Sequence, residues 1–477
     1  MPETKQSVLG ISFDGVAMSG LIAEFLKVAH FFHAEGYETY LNLGYDIKAD
    51  KGNFFRKTAN EKNLLPAWVE LCDFELDVLK GRYNEEFVSS ILDAYVTRDL
   101  DIPIDVNAQI EELSDAIADA LVNKFNELNV AYLIVENGTL PENIIFTSAL
   151  YKAIERYGVA SKLGKYVFWR DHDLMQTSEP LGAKYGAFPY KNVPKPKRSN
   201  FIQYIVQHDF NRRHLVSWAN VSNISVIPNC FSMERKMPTL KNSSSRSAFG
   251  IPENAFLIAH CTRIIPQKRI DRELYLLSEL MKRLPQKDIY LFVTGDPAEN
   301  PAESEKLIAY ANQLGISKQV VFGGCFPTFD SDFLNGTKSE GFTVWDILAN
   351  ADLSSFLTSY DYESYGNPIG EAIAAGVPYL TSTYSLYDDV YGRSGFQGIL
   401  MKTSKDHDGM PEPEFVNEVA EAIANPRQLK QIAEKNFELG KQLLSMEFLN
   451  GKIRAFLKTS RSNRSKKTVV QRYSASV

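Results

Sequence analysis

Short apolar runs alternate along this chain with stretches whose apolar positions recur every three or four residues. The first run, Val8 to Ser12, predicts a strand, and a helix follows over Leu21 to Glu35, closed by Gly36. Tyr37 to Leu43 reads as the next strand. Val106, Ile110, Leu113, Ile117, Leu121, Phe125 and Leu128 are spaced by threes and fours, as on one face of an amphipathic helix. The acidic residues between them are read as its solvated face. Val130 to Val135 and Tyr166 to Trp169 are short and apolar enough for buried strands.

The second half repeats the alternation. Strands are predicted at Phe256–Cys261, Ile289–Thr294, Val320–Phe322, Leu353–Thr358 and Val377–Ser382. Between them run a helix with Leu274, Leu277, Met281 and Leu284 on one face, then Glu303–Leu314, Val344–Asn350 and Pro368–Ala375. A long helix is expected over Glu414–Leu444. Strands alternating with helices imply parallel sheets covered on both faces, an α/β class with two doubly wound, Rossmann-like domains. The polar stretch Lys241 to Ser247 and the strand-like Ile224 to Ile227 put the boundary between residues 225 and 250. The expected division is 1–235, 236–445, and a C-terminal helix with a basic tail over 446–477.

Composition narrows the function without naming it. The 477 residues carry 52 Lys+Arg against 59 Asp+Glu, a net charge of −7. That length supports two or three domains with cores that need no disulfide or metal. The acidic balance lacks the basic footprint of a nucleic-acid binder. The four cysteines, Cys72, Cys230, Cys261 and Cys325, have no zinc-type or CxxC spacing. They are read as reduced thiols. Neither a leader pattern nor an apolar run long enough for a membrane span occurs, so the expected location is cytoplasmic.

In open α/β sheets, ligands bind beyond the carboxyl ends of strands, so the residues just after each strand are the candidates. The sharpest segment is Asp361 to Pro378, DYESYGNPIGEAIAAGVP. Glu363 lies in the loop after a strand, Gly366 permits a positive φ, and Asn367 is read as N-cap with Pro368 first in the helix. Gly376 stops that helix. Its start offers free N–H groups and a positive dipole end to an anion. Glu371, in the first turns, can reach a hydroxyl such as that of a ribose. Two carboxylates beside a helix start suit a ligand with both hydroxyls and phosphates. Arg263 and Lys268 follow the strand at 256–261, where two cations can clamp a diphosphate.

Here the segment resembles retaining glycosyltransferases of family 4, whose E-x7-E region usually reads E-G-F-G-x-P-x-x-E-A-x-A-x-G-x-P. Ser364 and Tyr365 replace the common Gly and Phe. The likeness covers residues 250–445 well and the N-terminal half loosely. It implies a GT-B fold, with the nucleotide sugar on the C-terminal domain, the acceptor on the N-terminal one, and a cleft between them. Glu363, Arg263, Lys268 and His172 take catalytic roles by this resemblance. Glu371, Gly366, Asn367, Pro368 and Ile369 then bind the donor, together with Gly15 or Gly20 in the loop after the first strand. Arg170 and Asn137 are assigned to the acceptor. The implied reaction moves a hexose from a nucleotide-diphosphate sugar to a hydroxyl, with retention of configuration and no cofactor or metal. A small soluble or acidic acceptor is favoured.

Alternatives remain at this stage. The fold could hold a nucleotide sugar without catalysis, or serve a sugar phosphorylase. A transferase at a membrane surface, acting on lipid or polysaccharide, is kept open by the basic Pro189–Arg198 loop and the basic tail. The triplet Asp171-His172-Asp173 also resembles the metal-binding DxD of a different glycosyltransferase fold.

Overall fold

The computed structural model describes residues 5–12, 20–43, 65–74, 76, 79, 81–172, 174, 190–233, 245–326 and 342–458. Gly15, Asp173, the start of the 189–198 loop, most of the 241–247 stretch and the tail after 458 lie outside these residues. The chain divides into two compact units, Met1–Pro228 with Leu449–Val477, and Asn229–Phe448.

The first unit opens with β1 (Ser7–Ser12), α1 (Gly20–Ala34), β2 (Glu38–Asn42) and β3 (Val69–Leu71). It continues through α2 (Glu85–Ile91), which runs on into a wider π-type turn, Leu92–Thr97, and α3 (Ile104–Glu127). Then come β4 (Val130–Glu136), α4 (Ile144–Ala160), β5 (Val167–Asp171), β6 (Ile202–Val206), α5 (Asp209–Ala219) and β7 (Ile224–Val226). Among the described residues these strands form one parallel sheet in the order β3-β2-β1-β4-β5-β6-β7. Every residue of β1, β5 and β6 is buried, as expected of parallel strands covered on both faces, and this burial includes the polar Gln203, Arg170 and Asp171.

Helix α3 buries Ile110, Leu113, Ile117, Leu121 and Phe125, the face its spacing predicts. Its acidic side does more than meet water. Glu111 pairs with Lys152 of α4 at 2.8 Å, and Asp119 with Arg156 at 2.7 Å. Such exposed pairs contribute only about 0.2–1 kcal/mol each, so the apolar seam holds the two helices together.

In the second unit, α6 (Ser245–Ala248), β8 (Phe256–His260), α7 (Ile270–Arg283), β9 (Ile289–Thr294), α8 (Pro301–Gln313) and β10 (Val320–Gly324) come first. They are followed by α9 (Val344–Ala349), β11 (Leu353–Phe356), α10 (Asn367–Ala375), β12 (Tyr379–Ser382), β13 (Ile399–Met401), α11 (Pro413–Ala424) and α12 (Pro426–Leu443). The described strands form a second parallel sheet, β10-β9-β8-β11-β12-β13.

Two expectations change here. The single helix over 414–444 is broken at Asn425-Pro426, because Pro426 has no N–H to continue the α11 ladder. The C-terminal helix, α13 over 446–458, is not a separate appendage. It packs into the first unit, with the Phe456 ring 4.4 Å from that of Phe168 on β5 and the Arg454 guanidinium 5.3 Å from the Phe31 ring. No helix among the described residues is long and apolar enough to cross a membrane.

Candidate functional site

In the second sheet β8 and β11 are neighbours, with Leu353 opposite Ile258 and Ser354 opposite Ala259. The chain winds from β8 to β9 and β10 on one side and from β11 to β12 and β13 on the other. The loops leaving β8 and β11 therefore flank the topological switch point. They are stitched together by one carbonyl: Gln267 accepts from Ser359 N at 3.0 Å and from Thr358 Oγ1 at 3.2 Å.

That stitch sets Lys268 against Glu363. The Lys268 ammonium is 2.5 Å from Oε2 of Glu363, with side-chain exposures of 13% and 14%. It also lies 5.1 Å from the Phe356 ring centroid and 5.3 Å from that of Tyr362, faces that favour a cation. The other carboxylate oxygen of Glu363 accepts from the N–H of Gly366 at 3.2 Å. Glu363 thus spans a lysine and the opening of α10, which is the local chemistry of an anion site.

The entry to α10 differs by one residue from the expected one. Gly366, at φ 82° and ψ 54°, is the cap, and Asn367 is the first helical residue. The Asn367 side chain does not cap. Its Oδ1 accepts from Asn229 Nδ2 at 2.8 Å. The left-handed turn needs glycine for a second reason, since a Cβ at 366 would lie 2.5 Å from the Tyr384 hydroxyl. That hydroxyl donates to the Tyr365 carbonyl at 2.5 Å, and Tyr391 donates to the Gly366 carbonyl at 3.0 Å. Burial, and after it the charge of Glu363, keeps the Tyr384 phenol protonated far above its usual range, so it stays a donor. Pro368 sits in the first turn, Ile369 is buried in the core, and Gly376 ends the helix at φ 72°. Glu371 is half-buried near Cys261, whose thiol is pushed up by burial and then by that carboxylate.

Arg263 stands apart from this group. Its Nε is 2.5 Å from Oε1 of Glu299, and its side chain is 63% exposed. Glu299 is one residue sequence reasoning missed. It lies in the loop after β9, and nothing in its local pattern marks it.

In the first unit the predicted residues enter a buried charged network at the carboxyl ends of β4 and β5. Arg170 Nη1 is 2.5 Å from Oε1 of Glu136 and donates to the Glu24 carbonyl at 3.0 Å. Glu24 also pairs with Lys27. His172 Nε2 is 2.7 Å from Oε2 of Glu136, and its Nδ1 is 2.7 Å from Nε2 of Gln207. Asn137, at φ 56°, accepts the backbone N–H of His172 at 2.7 Å. Arg170, His172 and Asn137 are all buried. With both ring nitrogens engaged, His172 reaches a ligand only by giving up one of these bonds. Glu24, Glu136 and Gln207 complete this network, and the sequence signal for Glu136 was its place at the end of a strand. Gly20 opens α1 with open space where a side chain would stand.

Asp171 is buried at the end of β5. Its Oδ1 accepts from the Thr139 hydroxyl at 2.8 Å, and burial pushes its carboxyl up to about 7. Among the described residues no cluster of three His, Cys, Asp or Glu is arranged to hold a metal. No disulfide joins any of the four cysteines, all of which lie among the described residues.

Comparison with known proteins adds to this geometry. Residues 242–438, which hold both loops at the switch point, match the family model of glycosyl transferases group 1. A D-inositol 3-phosphate glycosyltransferase of Nocardioides sp. is 30% identical over 169 residues, or 35% of this chain. The match spans 35% of that relative's own length. Among solved structures, a glycosyltransferase from Rickettsia africae superposes with a TM-score of 0.56 at 12% identity, covering 96% of this chain and 99% of that one. Sucrose-phosphate synthase from Thermosynechococcus elongatus gives 0.57 at 12% identity, with coverages of 96% and 100%. Anabaena HepE, solved with UDP-glucose, gives 0.57 at 15% identity, with coverages of 95% and 99%. At such identities the likeness is one of fold. The chain has the two Rossmann-like domains of the GT-B glycosyltransferase structures, and its residues 242–438 carry the group 1 glycosyl transferase signature.

Proposed function

We propose that the protein is a retaining, family 4-like glycosyltransferase that moves a hexose from a nucleotide-diphosphate sugar to a hydroxyl acceptor. The observation that carries this reading is the Lys268–Glu363 contact beside the start of α10, at the switch point of the unit that matches group 1 transferases. In the proposed reaction the bond between the anomeric carbon and the diphosphate oxygen breaks, and its electrons stay on the phosphate. Lys268 stabilises that charge, joined by Arg263 once it turns from its exposed pair with Glu299, and cations aimed at a developing charge supply much of a transferase's rate. Glu363 accepts from hydroxyls of the sugar as positive charge grows on its ring, and Glu371 accepts from the ribose. The acceptor oxygen bonds the anomeric carbon on the face the diphosphate leaves. Its proton passes to a phosphate oxygen, so no carboxylate nucleophile and no metal is required.

The acceptor is proposed to be small and anionic. The Nocardioides relative is named for a phosphorylated polyol, in keeping with that class. Thermal melts with UDP, GDP, ADP and their hexose conjugates test the donor, since a ligand that binds only the native state raises its melting temperature. One nucleotide series should raise it. Incubation of that donor with inositol phosphate, but not with uncharged polyols, should then yield a glycosylated product of unchanged anomeric configuration. No shift with any nucleotide sugar, or inversion in the product, rejects the proposal.

A further inference from the structure

Helix α7 buries two adjacent charges, Arg272 and Glu273, among Ile270, Leu274 and Leu277. Burying charge is costly unless each group is paired and hydrogen-bonded, so their partners matter, even though Arg272 Nε and Glu273 Oε2 are buried without one among the described residues. One carboxylate oxygen of Glu273, Oε1, meets three of them: His260 Nδ1 at 2.7 Å, the Ser355 hydroxyl at 2.8 Å and the Leu357 N–H at 3.2 Å. His260 ends β8 and Ser355 lies in β11, so a single atom joins the two central strands just where their loops depart. His260 passes the link on, with its Nε2 2.6 Å from the hydroxyl of Thr262, at the head of the loop bearing Arg263 and Lys268.

Arg272 works on the other loop. Its fully buried guanidinium donates from Nη1 to the carbonyls of Leu357, at 3.1 Å, and Thr358, at 2.7 Å. From Nη2 it donates to the Asp408 carbonyl at 2.6 Å and meets Asp408 Oδ1 at 2.5 Å. Residues 357 and 358 begin the segment that carries Glu363.

We infer that Arg272 and Glu273 are positioning residues that hold the Lys268 loop and the Glu363 loop at the spacing the diphosphate and sugar require. Both are buried and act through the loops they hold. Hydrogen bonds to a charged group inside the protein are strong and directional, and a displacement of about 1 Å at reacting groups costs on the order of a hundredfold in rate. The catalytic part of this inference rests on the proposed transferase reading, while the loop-holding part does not.

The test uses Glu273→Gln and Arg272→Lys in the full chain, with Lys282→Gln, on an exposed side chain, as control. Hydrogen exchange over residues 357–366 is compared with the global melting temperature. Turnover and KM for the donor are then measured per folded molecule. Exchange in 357–366 should quicken at least tenfold in both variants and stay unchanged in the control. Turnover should fall at least tenfold, with donor KM within threefold of wild type. Unchanged exchange overturns the inference whatever the enzyme does. Faster exchange with wild-type turnover overturns the catalytic part. Faster exchange in a protein whose wild type transfers no sugar leaves the loops positioned as inferred and rejects the transferase reading instead. Should Glu273→Gln not fold, Ser355→Ala removes one of the three bonds and is read the same way.

Discussion

Lys268 and Glu363, 95 residues apart in the chain, form a largely buried ion pair 2.5 Å long at the end of the second sheet. Each is the other's main charge partner there, so removing one leaves the other poorly solvated. Lys268→Met and Glu363→Gln should each lower the melting temperature, and the double variant should recover part of the loss. A double-mutant cycle in stability should give a coupling of about 1–3 kcal/mol. In a transfer assay Lys268→Ala should lower kcat on the order of 10²–10³.

Arg263 separates catalysis from stability. Its pair with Glu299 is exposed, and exposed pairs contribute little. Arg263→Ala should leave denaturant stability within about 0.5 kcal/mol of wild type. Its kcat should nevertheless fall on the order of 10²–10³. Unaltered turnover in this variant removes Arg263 from the proposed clamp.

Gly366 tests the helix entry. An alanine there must hold φ near 82° with its Cβ against the Tyr384 hydroxyl. Gly366→Ala should destabilise by at least about 1 kcal/mol. It should also weaken donor binding in calorimetry, because the Gly366 N–H that meets Glu363 moves.

The buried Asp171 predicts a pH dependence of stability. Its folded-state pKa, raised by burial to about 7, lies above that of an unfolded aspartate. Between roughly pH 4 and 7 the native state therefore holds the extra proton, and its contribution to stability falls as pH rises. The slope approaches about 1.4 kcal/mol per pH unit and flattens above 7. Chemical denaturation of wild type and Asp171→Asn from pH 5 to 8 should show that slope only in wild type.

Metal independence follows from the proposed mechanism. Transfer should continue in EDTA at its starting rate. Strict dependence on Mn²⁺ or Mg²⁺ would overturn it and return attention to Asp171-His172-Asp173.

Much of the scaffold was legible because burial follows a local period. Ile289–Thr294 is a strand with the predicted bounds, and α3 shows the face its spacing called for. Helix α4 was passed over because it is buried on several sides and its apolar stripe is broad. Gly366 rather than Asn367 caps α10, since the choice depends on Tyr384, Tyr391 and Asn229, which lie far from it in the chain.

Apolar spacing, glycine and proline were enough to specify two layered α/β units and to point at the loops after β8 and β11, because each of these depends on residues within a turn or two of one another. Partner choice was another matter. That Lys268 meets Glu363, that Arg263 turns to Glu299, that His172 spends both ring nitrogens inside the first unit, and that α13 returns to β5 were all settled by folding. Each joins segments far apart in the chain. Such contacts follow from the order of strands in a sheet, which a linear pattern does not encode.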